Sequence, residues 1–140
     1  MAEPLRYEEV SIGMEVPALI KETSSRMSAR WAAASGDYDP IHYDRTYALN
    51  QKLPDIIVNG RLKIALLSQM MINWIGPQGS LEKIGAIHRG MDIVNDAVAC
   101  KGEVVKKYVE NGRKLLECRI WTENRQGEKT AQGNAVVALP

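Results

Sequence analysis

A chain of 140 residues, 45% of them hydrophobic, falls in the size range of one domain that buries its own core without disulfide or metal staples. Its 18 Lys and Arg nearly balance 17 Asp and Glu, and no basic run is present to follow a phosphate backbone, which argues against a nucleic-acid partner. Cys100 and Cys118 lack CxxC or Cys/His spacing, so they read as core thiols of a reducing compartment rather than a zinc site or disulfide framework.

In chain order, the charged opening segment Met1 to Glu9 lacks the apolar centre of a signal peptide, and the expected compartment is the cytoplasm. A turn at Ser11 to Gly13 precedes a first strand, Val16 to Thr23, which Pro17 places near its own start or on a sheet edge. Ser28 is the expected N-cap of a short helix, Ala29 to Ala34, which Gly36 stops. Asp37 to Asp44 is expected as a fixed loop, because Pro40 removes a backbone donor and biases Asp39 away from helix. A helical turn at Arg45 to Leu49 follows. The long apolar helix runs from about Arg61 to Ile75; it is too short for a bilayer and interrupted by Lys63, Ser68, Gln69 and Asn73, so it predicts a buried central helix and no membrane partner.

The second half is β-rich: Ile84 to Met91, Ala97 to Val109, Lys114 to Glu123 and Lys129 to Leu139. Asn111-Gly112 suits a two-residue type I′ hairpin turn, and Asn124 to Gly127 a slightly longer loop. A long buried helix with an antiparallel sheet of about five strands is an α+β arrangement.

The chemistry concentrates in Asp37 and His42, five residues apart in a loop constrained by Gly36 and Pro40, so that both side chains are expected to face one small volume with a water between them. Adding water to an α,β-unsaturated thioester needs a base for the water proton, an acid to protonate Cα, and donors for the carbonyl oxygen as it gathers charge. The first turn of the helix after Gly60 can supply a backbone N–H and a favourable dipole.

The run Ala34-Ser35-Gly36-Asp37-Tyr38-Asp39-Pro40-Ile41-His42-Tyr43-Asp44 resembles the hydratase motif of the MaoC-like dehydratase family, which includes the (R)-specific enoyl-CoA hydratases. The likeness extends through the Arg61 to Ile75 helix and the closing strand Gly133 to Leu139. It implies one hotdog domain over residues 1 to 140, a curved antiparallel sheet wrapped around a long central helix. It also implies a lyase that hydrates an enoyl thioester or runs the reverse dehydration. By the same resemblance Asp37 and His42 hold and activate the water, Gly60 offers its N–H to the thioester carbonyl, and Gly36, Asp39, Pro40, Asp44 and Asn59 support the motif. The substrate the resemblance implies is an acyl-CoA or acyl-carrier-protein thioester, and no cofactor is expected beyond the coenzyme A portion of the substrate. The resemblance also implies a site between protomers, and a homodimer or a heteromer with a related hotdog chain is expected, since a second copy could cover both an open sheet edge and the wall of an acyl pocket. Asp55 to Asn59 and Asn73 to Pro77 are also similar to MaoC-like subunits of heteromeric hydratases acting on steroid side-chain CoA esters.

Two positions depart from the family pattern: Asp39 stands where Asn is usual, and Asn59-Gly60 where His-Gly is usual. Asp39 adds a second negative charge next to Asp37, which raises the pKa of one of the two if both are buried and unpaired. Alternatives to the hydratase reading are loop capping by Asp37 and Asp39, a hotdog thioesterase that hydrolyses instead of hydrating, or a noncatalytic partner subunit of a heteromeric hydratase. Asp37, Asp39, His42 and Asp44 do not make an EF-hand, because His42 replaces its glycine and Ala48 its final glutamate, and no metal is expected. His88 reads as structural or simply exposed. Arg61, Lys63, Lys83 and Arg89 read as solvated surface charge before phosphate ligands, and Ser35, Ser68, Cys100, Met70, Met71 and Trp74 as loop or core residues.

Overall fold

The structure, a computed structural model, describes residues 3–140. Five strands, β1 (Glu15–Glu22), β2 (Ser80–His88), β3 (Ala97–Glu110), β4 (Arg113–Glu123) and β5 (Lys129–Leu139), form one antiparallel sheet in the order β1-β3-β4-β5-β2. Three helices, α1 (Ser25–Ser35), α2 (Arg45–Asn50) and α3 (Gly60–Ile75), lie in the connections before β2. Pro17 sits where the sequence places it, on the edge strand β1, within a register shift between Val16 and Leu19 that spares the ladder its missing N–H. The β3–β4 turn holds both Asn111 and Gly112 at positive φ, as a type I′ hairpin demands.

The expected α1 boundary shifts by one turn. Ser24, not Ser28, is the N-cap, its Oγ accepting from the Met27 N–H at 3.1 Å, and Ser28 is buried inside the helix. Both serines precede a helix-forming run, and only the packing of Met27 and Ala32 inward decides between them. The expected loop from Asp37 to Asp44 also contains one 3₁₀ turn, Pro40–His42, which a proline at its first position favours.

Leu62, Leu66, Leu67, Met70, Met71 and Ile75 recur at helical spacing on α3 and pack against Val98, Cys100, Val104, Leu116, Cys118, Ile120, Ala135 and Val137 of the sheet. Full burial of each large side chain stabilises by roughly 1.5–3 kcal/mol before conformational entropy is counted. Ile72, 52% exposed, lies on the face of α3 away from the sheet, so the sheet covers one side of the helix. Burial pushes the thiols of Cys100 and Cys118 up to about 12, with Asp92 adding to the first and Glu117 to the second, which leaves neither a nucleophile at neutral pH.

Lys63 is not the surface charge that its sequence context suggests. It is 3% exposed in the first turn of α3, and its Nζ donates to Asp92 Oδ2 at 3.0 Å and to the Gly90 carbonyl at 3.3 Å. Asp92, 1% exposed, also accepts from Thr130 Oγ1 at 2.6 Å. That bond uses the only hydroxyl hydrogen of Thr130, so Thr122, whose Oγ1 is 2.8 Å away, is the donor in the threonine pair. The network ties the segment after β2 to α3 and the closing hairpin. Backbone bonds extend the tie: Val58 N–H donates to the Asp92 carbonyl at 2.8 Å and Val94 N–H to the Ile56 carbonyl at 3.0 Å, around an Ile57–Ile93 bridge.

Removing one member of a buried ion pair strands the other, at a typical cost of about 3–5 kcal/mol, whereas replacing both with apolar groups is often neutral. Lys63→Met is therefore expected to lose about 3–5 kcal/mol of unfolding free energy in urea, and Lys63→Met combined with Asp92→Leu to recover most of it. A Lys63→Met protein as stable as its parent would show that the pair is not held as described.

Candidate active site

The site begins where α1 stops. Gly36 takes the left-handed conformation at φ +75°, which glycine adopts without strain, and its N–H closes the helix on the Ala32 carbonyl at 2.9 Å. The next residues are held by their own side chains. Asp37 Oδ1 accepts from the Asp39 N–H at 3.2 Å, and Asp39 Oδ1 accepts from the Ile41 N–H at 3.2 Å. These are two successive turns of the kind short carboxylates make. Pro40 then opens the 3₁₀ turn that carries His42, and Asp44 Oδ1 caps α2 by accepting from the Tyr47 N–H at 3.1 Å. Gly36, Asp39, Pro40 and Asp44 are thus the scaffold of the loop.

Asp37 has a second function within this geometry. Its other oxygen, Oδ2, accepts from Asn59 Nδ2 at 2.8 Å, while Asn59 Oδ1 accepts from the Arg61 N–H at 2.8 Å as the N-cap of α3. One buried amide, 5% exposed, therefore joins the Asp37 carboxylate to the first turn of α3. His42 is tied to the same approach segment: its Nδ1 is 2.8 Å from the Ile57 carbonyl, and the Ile57 N–H donates to the Ile41 carbonyl at 3.1 Å. Since a carbonyl only accepts, Nδ1 carries the hydrogen, and Nε2 of the neutral ring is left with its lone pair. Asp37, His42, Asn59 and Gly60 are brought to one place from two parts of the chain.

The Asn59 hydrogen bond, then the Asp39 N–H, hold the Asp37 carboxyl below the usual carboxylate range, with the charges of His42 and Arg61 adding and burial opposing. The mutual repulsion anticipated for Asp37 and Asp39 does not dominate, because Asp39 is exposed and Asp37 is supplied with donors. Asp37 is ionised at neutral pH.

Gly60 is the first residue of α3, so its N–H has no acceptor within the helix and stands at the positive end of the dipole. A Cβ at this position would lie 2.7 Å from His88 Nε2 and 2.9 Å from His88 Cε1. His88 is exposed, one of the two readings its sequence allows, yet it stands against Gly60, a neighbour that no local pattern signals across 28 residues. Burial, then the Lys63 charge, push its imidazole below the ordinary value. Arg61, Lys83 and Arg89 are exposed, and Lys63 is not. A groove of about 570 Å³, lined by Met27, Arg30, Trp31, Ala34 and Leu62 among others, runs between α1 and the first turn of α3. Among the described residues no three His, Cys, Asp or Glu side chains gather as a metal set, and no helix is long and apolar enough to cross a membrane.

A family model described as MaoC like domain matches residues 9–126. Among curated proteins, the (R)-specific enoyl-CoA hydratase of Aeromonas caviae is 28% identical over 123 residues, covering 87% of this chain and 90% of that protein. The 3-oxo-4,17-pregnadiene-20-carboxyl-CoA hydratase beta subunit of Mycobacterium tuberculosis is 29% identical over 118 residues, covering 84% and 88%. Fatty acid synthase subunit beta of Saccharomyces cerevisiae is 26% identical over 134 residues, but the 95% of this chain that matches spans 6% of that protein. In structure, an R-hydratase of Pseudomonas aeruginosa superposes with a TM-score of 0.89 at 23% identity, covering 98% of this chain and 86% of that one. A chain of the ChsH1–ChsH2 complex of M. tuberculosis gives 0.81 at 24%, covering 93% and 98%. The fold is that of these hotdog proteins.

Asn59→Ala removes a helix cap and a donor to Asp37 together. The cap alone is worth about 0.5–2 kcal/mol, a loss readable in urea. The folded value of Asp37 lies below its unfolded value of about 3.9, so its contribution is present above that pH and fades as pH falls through the folded value. In Asn59→Ala, NMR titration is expected to move the Asp37 carboxyl up and flatten this acid-side loss; an unmoved titration would sink the clamp.

Proposed function

Because the chain belongs to the MaoC-like dehydratase family, we propose that it hydrates the double bond of a 2-enoyl thioester to the 3-hydroxyacyl thioester, or runs the reverse dehydration. The observation that carries this reading is the Asn59 amide, which holds a carboxylate beside the free N–H groups that open α3. Water-handling and carbonyl-binding groups are thereby parts of one rigid unit.

In the proposed reaction a water lies between Asp37 and His42 Nε2. Two hydrogen bonds from protein donors lower the basicity of Asp37, so its task is to orient the water and to stabilise the imidazolium that forms. His42 Nε2 takes the water proton as oxygen bonds to Cβ. The π electrons move toward the thioester carbonyl, where the Gly60 N–H and the α3 dipole meet the developing charge. The imidazolium then returns the proton to Cα, and atoms and charge balance without a further cofactor. The groove beside Leu62 and Ala34 offers apolar wall to the substrate.

The relatives point to coenzyme A as the carrier, with either a fatty acyl or a steroid side-chain ester as substrate. The proposed assembly is a pair of hotdog chains, identical or related, and the structural likeness to a heteromeric complex supports it. Ile20 on β1 and Ile87 on β2, both exposed on edge strands, are surface that such pairing covers. A cytoplasmic setting accompanies this reading.

The test is loss of the conjugated enoyl absorbance with short, medium and steroid-like enoyl-CoA esters. Wild type is expected to turn over at least one class, and Asp37→Asn and His42→Ala to lose about 10²–10⁴ in kcat while keeping native circular dichroism. Release of free coenzyme A thiol would indicate a thioesterase instead. A folded wild type inactive on every ester would favour the partner-subunit role.

A further inference from the structure

We infer that His88 belongs to the same site, as a second donor to the thioester carbonyl oxygen beside the Gly60 N–H. The inference rests on the hydratase reading above and adds to it a residue from a different element.

Three observations converge on the ring. First, its Nε2, Cε1 and Cδ2 atoms are the nearest neighbours of the Cβ position at Gly60, at 2.7, 2.9 and 3.0 Å. A Cβ on a helix leans toward the N-terminus, and the near-equal distances set the ring face over that position, so His88 lies at the mouth of α3, on the side where its unpaired N–H groups emerge. The absence of a side chain at position 60 is thereby explained inside the protein: His88 occupies that space.

Second, the ring is held there by its backbone. His88 ends β2 opposite Ala131, and the next two N–H groups, of Arg89 and Gly90, both donate to the Thr130 carbonyl, at 2.8 and 3.1 Å. The Gly90 carbonyl and Asp92 in turn accept from Lys63, three residues past Gly60. His88 and Gly60 are therefore fixed to each other through the buried ion pair, with the preorganisation a carbonyl-binding site needs.

Third, the ring is in the protonation state that suits the task. Burial and the Lys63 charge favour the neutral imidazole, which carries one N–H, and a bound carbonyl, able only to accept, selects the tautomer with that hydrogen on Nε2. A neutral donor polarises a carbonyl without delivering a proton to it. Removing one such donor typically costs about 10²–10³ in kcat.

The experiment reads carbonyl polarisation without turnover. The Asp37→Asn protein, disabled in water activation, is mixed with a conjugated enoyl-CoA, and the red shift of the bound chromophore is recorded alone and with His88→Leu or His88→Gln. The Gln amide places an N–H near the ring Nε2 position and Leu does not. The expected result is a shift reduced by roughly half or more with Leu and largely kept with Gln. In otherwise wild-type protein, kcat is expected to fall about 10²–10³ with Leu, KM to change little, and Gln to restore much of the rate. Melting curves confirm that each variant is folded. Equal shifts in all three proteins, or equal losses with Leu and Gln, would overturn the role of His88. Wild type that is active while the His88 variants match it would sink this inference alone, whereas inactive wild type sinks the hydratase reading instead.

Discussion

The arrangement depends on one side-chain amide. Asn59 satisfies the first turn of α3 through its oxygen and Asp37 through its nitrogen, so a helix start and a loop 22 residues earlier share a single planar group. A histidine there could cap or donate, but its ring geometry differs and its charge varies with pH. An amide gives one acceptor and two donors at every pH. Of the two positions expected to depart from the family pattern, Asn59 is thus the one that joins the two halves of the site.

Behind that amide lies the buried pair of Lys63 and Asp92. A cation in the first turn of a helix opposes the dipole, and burying it adds a desolvation cost. Gly90 and Asp92 Oδ2 answer the ammonium, and Thr130 donates to the same carboxylate oxygen, while Asp92 Oδ1 is buried without a hydrogen-bond partner among the described residues. The result is specific rather than merely stabilising: segments 56–58 and 90–94 are locked to α3, and with them the carbonyl that orients His42 and the backbone that carries His88.

Much of this was legible in the chain. Apolar runs marked α3 and most of the β-rich half, Asn111-Gly112 its hairpin and Pro17 an edge, because these are local properties of the backbone. β2 instead runs Ser80–His88 in place of the expected Ile84 to Met91, its start and end set by pairing with β5. Asp37 and His42 stood out through a spacing set by Gly36 and Pro40 within one loop. What stayed hidden depends on distant contacts. Lys63 and Asp92 look like ordinary charges in sequence and meet only when β2 folds back under α3. Ser24 and Ser28 are equivalent caps until burial of the helix face selects the first. His88 gains its meaning from Gly60, and nothing within either segment announces the other.

The two cysteines bring a different consequence. Cys100 on β3 and Cys118 on β4 are fully buried beneath α3, with thiols pushed up to about 12. Neither is reachable by an alkylating or oxidising reagent while the helix is seated on the sheet. The protein therefore carries its own probe of large-scale opening: with reagent in excess enough to outpace reclosing, the rate at which these thiols become modified counts openings of the core, and at low reagent it reports the open population, with no residue of the loop disturbed.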